Sequence, residues 1–266
     1  MVDSGLCRRT ANQRIGTVVR VFRHGVENEL VPPAVYQALK SVEGLKAGRS
    51  AARGGKVVLP VPDELVDAVR PHVSRQVWAM IELQRLTGMR SGEVTIMRSG
   101  DLDVTGEVWA YTPSRHKGEH LGRVRVIHLG PRSQAVLRPW LRDDPAAYLF
   151  RPMEAIAERR ANRAGSRKTP RTPSQLARGP KPSPMKAPGE RYLPRAYAHA
   201  IRIACLKAGV AHWHPHQLRY NAATRLRRDF GLEVARVILG HSSSAVTEVY
   251  AEVDSRKAAE VMGRAG

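Results

Sequence analysis

Cysteine is almost absent from this 266-residue sequence, which contains only Cys7 and Cys205. Two distant cysteines exclude a disulfide framework and a CxxC metal site, and both are predicted to be free thiols in a reducing compartment. No apolar run approaches the roughly 20 residues that cross a membrane, and the first residues lack a signal-peptide core. We therefore expect a cytoplasmic protein without membrane contact.

Aromatic and acidic residues are also scarce. Aromatic residues make up 5% of the chain against 42% hydrophobic residues, which predicts a core built mainly from aliphatic helix packing. Asp and Glu number 24 against 44 Lys and Arg, which gives a net charge of +20. Because the basic residues are spread along the whole chain, this balance indicates a polyanion binder and predicts nucleic acid as partner. The alternative is a soluble basic protein without such a role.

A change of composition divides the chain near residue 58. Residues 1–57 carry two amphipathic helical patterns separated by a Pro-Pro pair, which predicts a small helical module. The stretch 47–64 is rich in Gly, Ser, Arg and Pro and indicates a linker. Residues 58–266 form a second, larger unit. Within it, residues 151–195 hold many Arg, Lys and Pro and few large apolar residues, so we expect a basic flexible insertion.

The second unit is predicted to be helical with one interruption. Helical period runs through residues 63–88 and resumes after Tyr192. Between them, EVWAYT and GRVRVIHL alternate apolar and polar residues within 107–129, which predicts a β-hairpin joined by the polar connection PSRHKGEHL. The expected fold class is mainly α with a small antiparallel β-sheet (α+β).

The segment HPHQLRYNAATRLRRDFGLEVARVILGHSSSAVTEVY contains the residues best suited to phosphate chemistry. His216 and Arg219 stand three residues apart and share one face of a helix. A guanidinium matches two phosphate oxygens with its planar fork. His241 ends an LGH triplet, and Tyr250 follows nine residues later. A tyrosine is mostly protonated at neutral pH, with a pKa of about 10, so it becomes a useful nucleophile only among such donors.

A metal site is the alternative for the histidines of this segment. His212, His214 and His216 alternate along the chain. Pro215 interrupts the run, and no Cys or carboxylate cluster completes a set of ligands. We therefore expect neither a metal nor another cofactor.

Two longer motifs resemble those of the tyrosine recombinase (phage integrase) family. TGMRSGEVTIMRSGDLD resembles the family box TGxRxxExxxLxxxDid that carries the first catalytic arginine, here Arg90. LGHSSSAVTEVY resembles LGHxxxxxTxxY, including Thr247. Without that context, Arg90 would be a surface residue paired with Glu93. The predicted catalytic residues are Arg90, Lys117, His216, Arg219, His241 and Tyr250.

The resemblance implies a site-specific DNA recombinase or integrase. Arg90 and Arg219 would hold the non-bridging phosphate oxygens, and the two histidines would add donors. Tyr250 would form a 3′-phosphotyrosine, and Lys117, in the hairpin connection, would protonate the departing 5′ oxygen. His116, Arg115 and Arg123 compete with Lys117 for that role. The reaction would need neither a metal nor ATP, and the enzyme would act as a homo-oligomer, a tetramer, on DNA.

Two departures from the family pattern keep other functions open. Tyr220 stands where many members have a histidine. Residues 1–57 resemble only part of a helical core-binding domain, so we expect an N-terminally shortened form. A catalytically silent DNA-binding relic and a type IB topoisomerase-like enzyme are therefore the alternatives. For the terminal stretch SRKAAEVMGRAG, the resemblance implies a helix that docks on a neighbouring protomer, and packing in cis is the alternative.

Overall fold

The computed structural model describes residues 2, 4–55, 57–119, 122, 124–170, 172–178 and 188–240. The chain divides into two compact units, residues 1–58 and the residues from Leu59 onward. His241 and Tyr250, together with the terminal stretch, lie outside the described residues.

Among its described residues, the first unit has the two helices that were predicted, α1 (Arg8–Glu27) and α2 (Pro33–Lys40). Asn12 on α1 ties the chain after α2 to α1, because its side chain both accepts from the N–H and donates to the carbonyl of Leu45, at 2.8 and 3.0 Å. The apolar face expected on α1 is largely exposed at Ile15, Val18 and Val21. Two helices give each other too little surface to cover that face.

The second unit is mostly helical. Its α-helices in the described residues are α3 (Asp63–Ala68), α4 (Arg75–Thr87), α5 (Ser91–Val94), α6 (Pro131–Leu137), α7 (Pro152–Gly165), α8 (Pro173–Ala177), α9 (Pro194–Ala208), α10 (Pro215–Phe230) and α11 (Leu232–Leu239). Short 3-10 turns lie at Arg70–His72, Ser99–Asp101 and Arg138–Trp140. Among the described residues, no helix is both long and apolar enough to span a bilayer.

A three-stranded antiparallel sheet confirms the predicted change of period. Its strands are β1 (Leu102–Asp103), β2 (Trp109–Tyr111) and β3 (Ile127–Leu129), in the order β1-β2-β3. Tyr111 pairs with Ile127, and Trp109 pairs with Leu129. The mainly α fold with a small antiparallel sheet is therefore confirmed, and β1 is an addition to the predicted hairpin.

The core of the second unit surrounds α4. Met80, Ile81 and Leu83 of this helix are fully buried. Ser74 caps its N-terminus by accepting from the N–H of Val77 at 3.3 Å. Across the core, the indole of Trp213 donates to the carbonyl of Leu65 at 3.2 Å. This packing holds α10, which follows Trp213, against the centre of the unit.

One feature of the predicted insertion is corrected by the structure. The expectation of a stretch without packed structure is wrong for residues 152–165, which form α7. Ala155 is buried, and the Glu154 carboxylate accepts from Gln76 at 3.0 Å and from Arg142 at 2.7 Å. Sparse apolar residues sufficed here because these polar contacts fix the helix. Residues 179–187 of the predicted insertion lie outside the described residues.

Candidate active site

Arg90 lies on a tight turn between α4 and α5. Helix α4 ends at Gly88, whose φ of 67° is the left-handed conformation that favours glycine. The buried Gln84 side chain donates to the carbonyl of Met89 at 2.9 Å. Arg90 then forms the N-cap of α5. The TGMR sequence thus folds into a fixed turn that presents Arg90, whose side chain is 26% exposed.

Glu93 holds Arg90 in place. Its carboxylate accepts from the Arg90 backbone N–H at 2.7 Å and from the Arg90 guanidinium at 2.8 Å. The Tyr111 hydroxyl on β2 donates to the Glu93 carbonyl at 2.7 Å. Burial by itself would raise the pKa of Glu93, but Arg125 and the contacts with Arg90 outweigh it and lower this pKa. Glu93 is therefore an anion that orients the turn.

Arg125 is a residue of this site that the sequence analysis missed. It lies two residues before β3 and is only 6% exposed. Its Nε is 3.8 Å from Glu93 Oε1, and its Nη1 donates to the carbonyl of Ile238 at 3.0 Å. Arg125 is in register with Ile127 and Leu129, which point inward, so it lies on the buried face of the strand. The alternation alone did not show which face is buried.

Helix α10 carries His216 and Arg219. Pro215 occupies its first position, where a missing N–H costs nothing. Arg219 is fully buried. Its Nη1 donates to the carbonyl of Gly88 at 2.7 Å, and its Nη2 donates to the carbonyl of Leu239 at 2.6 Å. Arg219 thus joins the turn before Arg90 to the end of α11.

His216 lies at the exposed start of α10, one turn before Arg219. Its ring meets that of Tyr220 edge to face, with centroids 5.9 Å apart. Partial desolvation lowers the pKa of His216, and the positive charges of Arg219, Arg90 and Lys117 lower it further. The imidazole therefore stays neutral down to a lower pH than usual. Tyr220, which stands where many family members have a histidine, contacts the His216 ring.

Lys117 lies in the connection between β2 and β3, as predicted, with an exposed side chain. The next peptide N–H, that of Gly118, donates to His116 Nδ1 at 3.3 Å. Since the charge of Lys117 acts on His216 together with those of Arg90 and Arg219, these three basic residues lie within electrostatic reach of one location, the His216 ring. His241 and Tyr250 belong to the remaining, undescribed segment.

The three histidines considered as metal ligands form two separate ring contacts. His212 and His214 meet edge to face at 4.4 Å between ring centroids, whereas His216 contacts Tyr220. Over the described stretches of the chain, no three His, Cys, Asp or Glu side chains converge in a way that could hold a metal ion.

Comparison with known proteins gives a consistent picture. The model of the phage integrase family matches residues 62–257. Tyrosine recombinase XerC of Haemophilus ducreyi is 28% identical over 261 residues, covering 97% of this chain and 72% of the relative. XerC of Pseudomonas aeruginosa (strain LESB58) is 36% identical over 194 residues, 73% of this chain. The chain spans about half, 52%, of that relative's length.

Two solved structures share the fold. The Tn1549 transposon integrase in complex with circular intermediate DNA has a TM-score of 0.64 at 15% identity, covering 99% of this chain and 82% of that chain. A lambda integrase dimer bound to a core site has a TM-score of 0.53 at 14% identity, covering 94% and 75%. At these identities the likeness concerns the fold alone.

Proposed function

Since the chain belongs to the phage integrase family of tyrosine recombinases, we propose that it cuts and rejoins double-stranded DNA at specific sites. The reaction proceeds through a 3′-phosphotyrosine intermediate on Tyr250. Residues 58–266 are the catalytic domain, and residues 1–57 are a partial core-binding domain that contacts DNA.

The observation that carries this proposal is the bond from Arg219 to the Gly88 carbonyl at 2.7 Å. It joins α10 to the turn that presents Arg90, and the positive charges of both arginines lower the pKa of His216. A cluster of positive side chains with one buried carboxylate, Glu93, suits a phosphodiester, whose transition state carries more negative charge than its ground state.

Arg90 and Lys117 have side chains that can contact the phosphodiester directly. Arg90 is partly exposed, so its guanidinium can bind non-bridging oxygens, and one preorganised donor of this kind lowers a barrier by about 3 kcal/mol. Lys117 is exposed on the hairpin connection and protonates the departing 5′ oxygen. The guanidinium groups supply the charge that a metal ion supplies in other phosphoryl-transfer sites, so no step requires a metal.

His216 and Arg219 act from α10. The neutral imidazole of His216 accepts the proton of the Tyr250 hydroxyl as the nucleophile attacks. Arg219 is buried, and both of its terminal nitrogens already donate to carbonyls. A guanidinium carries five N–H donors, so these two bonds do not prevent Arg219 from contacting a phosphate, and His241 contributes the last donor. The covalent link retains the bond energy, so a 5′ hydroxyl reverses the step without ATP.

The partners follow from the same chemistry. The net charge of +20 favours DNA through counterion release. The lambda integrase structure is a dimer on a core site, and we propose a tetramer of this chain on paired sites, because two duplexes exchange four strands.

A nicked, labelled duplex library tests the proposal. The protein is incubated with it in EDTA, and the products are separated on a denaturing gel. A covalent adduct with the wild type that is absent with Tyr250→Phe supports the proposed chemistry. DNA binding without any adduct favours the DNA-binding relic, and relaxation of supercoiled plasmid without strand exchange favours the topoisomerase alternative.

A further inference from the structure

Arg125 connects three parts of the candidate site. It precedes β3, its Nε lies 3.8 Å from the Glu93 carboxylate, and its Nη1 donates to the Ile238 carbonyl at the end of α11. Gly240 packs so closely on this guanidinium that an added Cβ would lie 2.6 Å from Nη1. The side chain therefore touches both the support of Arg90 and the last residues before His241.

Fold stability gives a poor account of this buried arginine. Within the part of the chain that the structure describes, its Nε and Nη2 have no hydrogen-bond partner. A buried guanidinium with unused donors is costly, and an apolar side chain of similar volume often serves a fold as well or better. The Ile127 and Leu129 positions of the same inward face are apolar, as expected for a core.

We infer that Arg125 is a positioning residue for DNA strand cleavage. Through Glu93 it fixes the guanidinium of Arg90, and through the Ile238 carbonyl it fixes the point from which the chain continues towards His241 and Tyr250. The inference rests on the proposed function. In this inference, the single side chain of Arg125 aligns the phosphate-binding Arg90 with the segment that contains the nucleophile.

The geometry requires an arginine at this position. Its two contacts leave the guanidinium in different directions, from Nε to a carboxylate and from Nη1 to a carbonyl. A lysine ammonium is a point donor on a flexible stem and lacks the rigid fork that reaches both. Arg125→Lys is therefore expected to keep one contact and to restore only part of the activity lost in Arg125→Met.

Arg142 provides a matched control. Its guanidinium also joins a carboxylate and a main-chain carbonyl, at 2.7 Å to Glu154 and 3.1 Å to Leu149. Glu154 retains Gln76 as a partner when Arg142 is replaced, just as Glu93 retains Arg90 when Arg125 is replaced. Arg142→Met thus removes the same kind of contact outside the candidate site.

The experiment measures adduct formation at saturating DNA, DNA affinity and thermal unfolding for the full chain. Arg125→Met is expected to slow adduct formation about 100-fold, because a misplacement of about 1 Å costs that much, while DNA affinity changes little. Arg142→Met is expected to keep the wild-type rate at a comparable loss of thermal stability. Equal rates in the two variants would overturn the inference.

A double-mutant cycle separates positioning from a general structural role. If Arg125 acts through Arg90, adding Arg125→Met to Arg90→Ala slows adduct formation little further, whereas independent effects multiply. A duplex with a neutral methylphosphonate at the scissile position offers a second readout, since the Arg125→Met penalty shrinks once no charge has to be held. Multiplying effects and an unchanged penalty on the neutral substrate both contradict the inference. A wild-type protein that forms no Tyr250-dependent adduct overturns the proposed function itself.

Discussion

Gly88→Ala is predicted to destabilise the second unit far more than the same change at Gly209. Both glycines end a helix with a φ of 67°. An added Cβ at Gly209 would have no neighbour within 4 Å. At Gly88 it would meet the Leu239 side chain and lie 3.0 Å from the Ala222 Cβ. Both variants share the cost of the left-handed backbone, so the difference in stability between them measures the close packing of α4, α10 and α11.

The expected magnitude follows from these two terms. The left-handed conformation costs an alanine about 1 to 2 kcal/mol at either site. Overpacking adds about 1 to 3 kcal/mol at Gly88 alone. A free energy of unfolding that falls by 1 kcal/mol lowers the Tm of a unit of this size by about 2 to 4 °C. Gly88→Ala should therefore melt about 2 to 12 °C below Gly209→Ala.

Circular dichroism during heating and urea unfolding measures the difference. In the double variant with Leu239→Ala, the loss of stability should be less than the sum of the two single losses by about 1 kcal/mol, because the Cβ at position 88 loses its closest neighbour. Equal midpoints for Gly88→Ala and Gly209→Ala, or strict additivity with Leu239→Ala, would show that the three helices do not pack as closely as described.

Three further predictions concern protonation and the chain that enters α3. The pKa of Glu93 is lowered, so its stabilising contribution is present above the unfolded pKa and is lost as pH falls. The free energies of unfolding of Glu93→Gln and the wild type, measured in urea, should therefore converge in acid. A constant difference between them would contradict this. NMR of labelled histidine should give His216 a lowered pKa. This pKa should rise in Lys117→Ala, where a positive charge is removed, and on DNA binding, where positive charge is neutralised. No rise in either case would show that the basic residues do not act on His216. Asn221 bonds both the N–H and the carbonyl of Val61, so Asn221→Ala should cost about 1 to 3 kcal/mol and speed amide exchange at Val61, and unchanged exchange would refute it.

The sequence predicted the parts of the site that local patterns determine. The helix end at Gly88 and the hairpin around Lys117 follow from glycine conformation and from strand alternation over a few residues. The i, i+3 spacing of His216 and Arg219 placed both on one helix. For these residues, the sequence information that determines the local structure lies within a single turn or hairpin.

Tertiary contacts decided what the sequence left open. In VRVIHL, apolar and basic residues alternate in a way that fits either face, and only pairing with β2 directs Arg125 inward and leaves Val124 exposed. Helix α7 forms despite its basic composition because Glu154 bonds to Arg142 in the preceding segment and to Gln76, which lies 78 residues away in sequence. Neither outcome is encoded in composition or period.

The burial of Arg219 determines how variants of the two arginines should be interpreted. Replacing Arg219 removes donors from the Gly88 and Leu239 carbonyls, and buried carbonyls without partners cost about 1 to 3 kcal/mol each. Loss of cleavage in such a variant therefore combines lost folding with lost phosphate binding. Arg90 is partly exposed, and within the described chain its guanidinium donates to Glu93, three residues away. Its replacement therefore reports on the phosphate with less disturbance of the fold. Cleavage lost in Arg90→Ala at an unchanged Tm is consequently the stronger evidence for a guanidinium at the scissile phosphate.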